Sequence, residues 1–227
     1  MSAPAPTPWS GELGRKGIHL CSALFPLALA YAWVPRTVVL AVLGAGLVIA
    51  AGIEIGRRRS ETLQRWFLSW FGWMLRSHEA THLTGASWIL LAMFVAVLVL
   101  PIPVAITALW AAVVGDTAAA LVGRAVSPMR SPMGSQAGSQ GARDASRGDR
   151  RNGAPGPKTW SGSLACAIAS AVGPLWLVGA SLPAAAMIGV AAAAAERPTM
   201  RLDDNVRVAF GAGATAWALL ALGRFPL

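Results

Sequence analysis

Charge is scarce in this chain. Of its 227 residues only 13% are Asp, Glu, Lys or Arg, ten of them acidic, and it holds one tyrosine and two cysteines. A soluble domain carries about 25% charged residues. The deficit, with 55% hydrophobic residues and a mean hydropathy of +0.55, excludes an ordinary soluble globular enzyme and points to a polytopic membrane protein. Cys21 and Cys166 both fall in apolar stretches. They are too few for a disulfide framework or a cysteine zinc site, and they read as small packing residues. A cleavable leader is not expected: Met1–Pro8 is rich in Pro and Ala, and no small-residue cleavage site follows the first apolar stretch.

What the chain has in abundance is apolar runs near the roughly 20 residues needed to span a bilayer. They lie near 17–34, 37–55, 83–100, 102–123, 162–180, 183–196 and 206–223. The expected fold is therefore an all-α polytopic integral membrane protein, a single membrane domain over 1–227 with about seven transmembrane helices. The formal charge of +9 follows this topology. Of 19 Lys and Arg residues, Arg36 and Arg224 alone fall on the side reached after odd-numbered spans. The rest, including Arg15, Lys16, Arg57, Arg58 and Arg59, mark the opposite side, which the positive-inside rule makes cytoplasmic. Such a placement argues against nucleic acid as the partner and leaves some basic surplus for anionic headgroups or substrate phosphates. For a bacterial chain the membrane would be the plasma membrane.

Two segments break the pattern. In 61–76, Leu63, Trp66, Phe67, Trp70, Phe71 and Met74 recur at helical spacing, with Arg65, Ser69, Gly72 and Arg76 opposite. That is an amphipathic interfacial helix with tryptophans at headgroup depth, a surface anchor or a guide for a lipid. Residues 127–157 are rich in Ser, Gly, Gln, Arg and Pro, the composition of a flexible cytoplasmic loop.

The unusual polar residues gather at one face. Arg15, Lys16 and His19 open the first span, Glu54 closes the second, and Asp116 lies in the fourth, eight residues before Arg124. At 1.5 Å per residue that is roughly 12 Å inside the span's end. Lys158 precedes the fifth span, Glu196 ends the sixth, and Asp203-Asp204-Asn205 precede the seventh. A carboxylate in hydrocarbon is costly unless paired, metal-bound or facing water, so this convergence describes a polar cavity open to the cytoplasm. Acids among cations and glycines suit a nucleoside triphosphate with Mg²⁺: carboxylates hold the metal, cations neutralise phosphates, and glycines admit backbone N–H groups. No Walker lysine motif and no kinase glycine-rich loop is present, which excludes the soluble nucleotide-binding types.

Arg15-Lys16-Gly17-Ile18-His19 resembles the opening R-K-x-x-H of the CTP-dependent lipid-alcohol kinases, the family of dolichol kinase, phytol kinase and CTP-dependent diacylglycerol kinase. Thr84-Gly85-Ala86 resembles their T-G-A. Gly115-Asp116-Thr117-Ala118-Ala119-Ala120 with Gly123-Arg124 resembles their G-D-x-A-A-A-x-x-G-[KR]. Lys158-Thr159-Trp160-Ser161-Gly162-Ser163 resembles K-[ST]-x-E-G-S, and Glu196 with Asp204-Asn205 a later E…D-N. These motifs run in order across almost the whole chain. The resemblance implies transfer of the γ-phosphoryl group of CTP, with Mg²⁺, to a lipid hydroxyl at the cytoplasmic face. It implies Asp116 as the central carboxylate, a metal shell of Asp116, Asp204 and Glu196, and Lys158, Arg15, Lys16 and His19 as catalytic or phosphate-binding groups. Gly115, Gly123, Arg124, Thr159, Gly162, Ser163 and Asn205 would line the nucleotide. Ser161 departs from the pattern, standing where the family has Glu.

Three rival readings rest on the same residues. Phosphatidate cytidylyltransferases share a G-D and a later K-K-T-x-E-G and also use CTP, but their C-terminal H-G-G and D-R-x-D are absent. His78-Glu79-Ala80-Thr81-His82 is a literal H-E-x-x-H that could hold zinc with Asp203 or Asp204 as third ligand, as in intramembrane metalloproteases. A polar inner vestibule also suits a transporter. Glu54, beside Arg57 and Arg58, reads as an ion-paired acid.

Overall fold

The computed structural model describes residues 9–75, 79, 82–126, 158–198 and 203–226, and every regular element among them is helical. The elements are α1 (Trp9–Cys21), α2 (Leu24–Ala30), α3 (Arg36–Arg59), α4 (Glu61–Phe71), α5 (Gly85–Val99), α6 (Ile102–Val126), α7 (Trp160–Leu177), α8 (Leu182–Glu196) and α9 (Asp204–Ala221). A 3₁₀ turn, Gly72–Met74, follows α4.

Three of these helices, α3, α6 and α7, are long and apolar enough to cross a membrane, so the chain is an α-helical membrane protein, but the expected count of seven spans is not met. The first apolar run is divided. Pro26 has no N–H for the Ser22 carbonyl and its ring would crowd that carbonyl in a continuous helix, so the chain turns at Ser22–Ala23 and restarts as α2. Apolar α5 and α8 are 15 residues each, short of a full crossing. α9 reaches 18 residues but begins with Asp204 and carries Arg207.

α6 is the axis of the fold. Its apolar window is 78% buried, against 17% for α3, whose Val48 and Ile49 remain exposed. On one side of α6, Leu29, Val39, Leu43, Ile89 and Met93 from α2, α3 and α5 close on Leu109 and Val113. On the other, Cys166, Ile188, Ala192, Val208, Ala212 and Ala216 from α7, α8 and α9 close on Val104 and Ala111. Small residues set this second half. Gly189 lies against the Ala167 carbonyl, and Gly211 lies against Ala191 and Ala195. In lipid, close backbone approach replaces the hydrophobic effect as the force between helices, which is why the Ala-rich α8 packs so well. Cys166 is fully buried there, whereas Cys21 is exposed rather than packed in a core.

α4 has no buried residue, and Leu63, Trp66, Trp70 and Phe71 are all exposed, as an interfacial helix requires. Ser60 ends α3 and caps α4 by accepting from the Leu63 N–H, so the chain turns between the two helices without a loop. The expected flexible segment 127–157, and His78 of the H-E-x-x-H run, lie outside the described residues.

Candidate functional site

The site is built where α6 changes register. Ala111–Gly115 form a π-helical segment between two α-helical stretches, Ile102–Trp110 and Asp116–Val126. A π segment holds a surplus residue and so re-aims the side chains beyond it; such segments recur at functional positions. Asp116 is the first residue after it, 6% exposed, and its Oδ2 accepts from Nζ of Lys16 in α1, itself 5% exposed. His19, one turn further along α1, stands near the Ala112 carbonyl of the π segment and within electrostatic reach of Asp116, Lys16 and Arg15; its Nε2 is buried without a hydrogen-bond partner. Thr117 Oγ1 is buried and unpartnered as well.

The second centre is Lys158. Its ammonium lies 2.5 Å from Glu196 Oε1 and 3.1 Å from Asp204 Oδ2, and it donates to the Glu196 carbonyl at 2.6 Å. Arg207 completes the cluster, pairing with Asp204 and donating to the carbonyls of Ala195 (2.9 Å) and Pro198. Two cations thus close the C-terminus of α8, satisfying carbonyls that a helix end leaves open and matching its dipole. Asp203 caps α9, its Oδ1 accepting from both N–H (3.0 Å) and Nδ2 (2.7 Å) of Asn205, while Asn205 Oδ1 is buried without a partner. Cys166 is buried in α7, where its carbonyl would lie 3.6 Å from a Cβ on Gly115, the neighbour of Asp116.

The glycines and hydroxyls in the motifs shape this crossing. A Cβ on Gly115 would collide with Ser170 Oγ; one on Gly162 would sit 2.8 Å from the Ala119 carbonyl; one on Gly123 would sit 3.0 Å from Thr159 Oγ1. α6 and α7 are therefore locked backbone to backbone at the site. Thr159 Oγ1 caps α7 by accepting from the Gly162 N–H (3.1 Å), Ser161 Oγ donates to it (3.2 Å), and Ser163 Oγ donates to the Thr159 carbonyl (3.3 Å). Arg124 is exposed on the last turn of α6.

A third polar group lies beyond the expected set. Glu54 Oε2 pairs with Arg57 at 2.5 Å, the ion pair foreseen from sequence, while Oε1 accepts from the Thr84 N–H (2.8 Å) and Ser87 Oγ (3.3 Å). Glu79, 2% exposed, accepts from the Gly85 N–H at 3.0 Å. Two carboxylates therefore hold the start of α5, and a Cβ on Gly85 would be 3.8 Å from both Arg15 Nη1 and Asp203 Oδ2. Arg207, the Glu79–Gly85 bond and the Glu54–Thr84 bond were missed in the sequence. An arginine three residues after Asp204 in an apolar helix was the available signal for the first. Nothing local marked the others.

Among the described residues no three His, Cys, Asp or Glu side chains group as a metal site. Glu196 and Asp204 share one cation, here Lys158, while Asp116 stands apart on Lys16. Within the H-E-x-x-H run Glu79 is committed to α5 and His82 gives its carbonyl to Arg57.

These helices and paired charges define an α-helical membrane protein with a buried ionic interior. No protein-family model, no curated protein and no solved structure matches the chain.

Proposed function

We propose that this protein transfers the γ-phosphoryl group of CTP to the hydroxyl of a membrane lipid alcohol, a polyprenol, phytol or diacylglycerol. The observation that carries the reading is the pairing of residues from four motifs in distant parts of the chain: Lys16 on Asp116, and Lys158 between Glu196 and Asp204. A site at the cytoplasmic face is part of this proposal.

In the proposed reaction the lipid oxygen attacks the γ-phosphorus, the bond to the β-bridging oxygen breaks, CDP leaves, and the hydroxyl proton passes to a carboxylate. Asp116 is the acceptor, held in place by Lys16. Phosphoryl transfer asks a protein mainly for position and for charge at the departing phosphate. Lys158 and Lys16 supply that charge, with Arg15 and His19 beside them. Mg²⁺ usually takes one or two protein carboxylates plus substrate phosphates. Glu196 and Asp204 fit that demand, and the ion would neutralise phosphate oxygens there. Thr117 Oγ1 and Asn205 Oδ1 are polar atoms left for a ligand to satisfy.

The test is purified protein with γ-labelled CTP, Mg²⁺ and a panel of lipid alcohols. Label in the lipid supports the reading. Label retained only from α-labelled CTP, with pyrophosphate released, replaces it with cytidylyl transfer. No turnover with any nucleotide, but solute flux in liposomes, replaces it with transport.

A further inference from the structure

The two ends of the helix bundle are each tied by side-chain contacts. At one end Glu54 of α3 accepts from the Thr84 N–H at the start of α5 (2.8 Å), and a Cβ on Gly85 would lie 3.8 Å from Asp203, which caps α9. Lys158, just before α7, joins Asp204 of α9 to Glu196 at the end of α8. At the other end Arg36, the first residue of α3, donates to the Leu98 carbonyl in the last turn of α5 (2.8 Å). Tyr31 stacks on Trp33, with ring centres 5.6 Å apart, and meets Trp176 of α7 edge-on at 6.5 Å.

α5 therefore runs between the two polar ends of α3, a helix long and apolar enough to cross a membrane. It covers the same layer with 15 residues, about 22 Å of helix. α8, also 15 residues, returns beside α7 and brings Glu196 to the level of Lys158. The outer face of α7 gives a matching measure. Trp160, Leu164, Ile168, Val172 and Trp176, every fourth residue, are exposed. The Arg197 guanidinium lies 3.6 Å from the Trp160 ring centre, and Trp176 belongs to the cluster around Tyr31. Tryptophans at the two ends of an apolar stripe mark the two headgroup levels of a bilayer. The 16 positions from Trp160 to Trp176 correspond to about 24 Å. An ordinary hydrocarbon layer is about 30 Å thick. α6 is longer but mostly buried, and the last turn of α3, with Arg57, Arg58 and Arg59, passes beyond Glu54.

We infer that the lipid-facing surface of the bundle fits a bilayer whose hydrocarbon layer is about 24 Å thick, one built from lipids with short acyl chains. In a thicker membrane the surrounding lipid thins or the helices tilt, and either lowers stability. This fit belongs to the outer surface alone and stands whether or not the protein acts on CTP.

The experiment places the full chain in phosphatidylcholine bilayers with monounsaturated chains of fourteen, eighteen or twenty-two carbons. The thermal midpoint is expected to be highest with fourteen and to fall at each step. A second measurement uses a bimane probe on Ala86→Cys, Leu91→Cys or Val99→Cys, exposed positions at the start, middle and end of α5, with the exposed Cys21 replaced by Ser. In eighteen-carbon lipid brominated at a shallow or a deep position, probes at 86 and 99 should be quenched best by shallow bromines and the probe at 91 by deep ones. A midpoint that peaks at eighteen or twenty-two carbons, or ignores chain length, would overturn the inference. So would deep quenching at 99, which would leave the end of α5 inside the hydrocarbon, or the absence of lipid quenching along α5.

Discussion

Lys16 and Asp116, 100 positions apart in sequence, meet as a buried ion pair between α1 and the turn of α6 that succeeds its π segment. Neither charge has access to bulk water, so each depends on the other. Removing one partner of a buried pair costs about 3–5 kcal/mol, because the survivor is left uncompensated. Asp116→Asn and Lys16→Met should each lower the thermal midpoint of the detergent-solubilised protein. The double variant Lys16→Met with Asp116→Leu should recover much of that loss and none of the CTP-dependent activity. Recovery of activity together with stability would make the pair a structural strut and nothing more.

Lys158, just before α7, is the counterpart in the second cluster. Without its ammonium, the Glu196 carboxylate loses its ion pair among the described residues, while Asp204 keeps Arg207. Lys158→Ala should therefore destabilise the protein, and millimolar Mg²⁺ should raise its midpoint more than it raises that of the unsubstituted chain. An equal response of both proteins to Mg²⁺ would show that these acids do not receive a divalent ion.

Ser161 sits in the first turn of α7, its hydroxyl on the Thr159 cap. An acid in that turn suits the helix dipole, a gain of about 0.3–1 kcal/mol. Ser161→Glu should fold normally and strengthen dependence on Mg²⁺ at low ion concentration. A fall in stability would mean that the side chain cannot leave the cap region.

The polar convergence was legible because charge in apolar sequence is conspicuous, and α3 and α4 were legible because their periodicities differ so sharply. Partner choice was not. Nothing in the order of residues tells Lys16 from Lys158 as the mate of Asp116; that depends on α1 lying against α6 while the start of α7 lies against the end of α8 and the start of α9. The division at Ser22–Ala23 had a local cause in Pro26, outweighed by continuous hydropathy. The shortness of α5 is likewise tertiary: Glu54 and Glu79, from separate segments, fix where that helix begins.

Gly115 tests the backbone contact of α6 with α7. Gly115→Ala drives a methyl into Ser170 Oγ, and overpacking of this kind costs about 1–3 kcal/mol. Gly115→Ala with Ser170→Ala should be more stable than Gly115→Ala alone, since the remaining neighbours, Ser170 Cβ and the Cys166 carbonyl, are 3.4 and 3.6 Å away. A strictly additive pair, measured by thermal unfolding, would place the strain elsewhere.

The π segment means that α6 carries one residue more than its path requires. Deleting a single alanine or valine from 111–114 would take up that surplus and return the segment to regular α-helix, with Asp116 still turned toward Lys16. Inserting one residue there has no such outlet and would rotate everything beyond it by about 100°. The aim of the acid is thus stored as a count, one that tolerates a loss of one and not a gain.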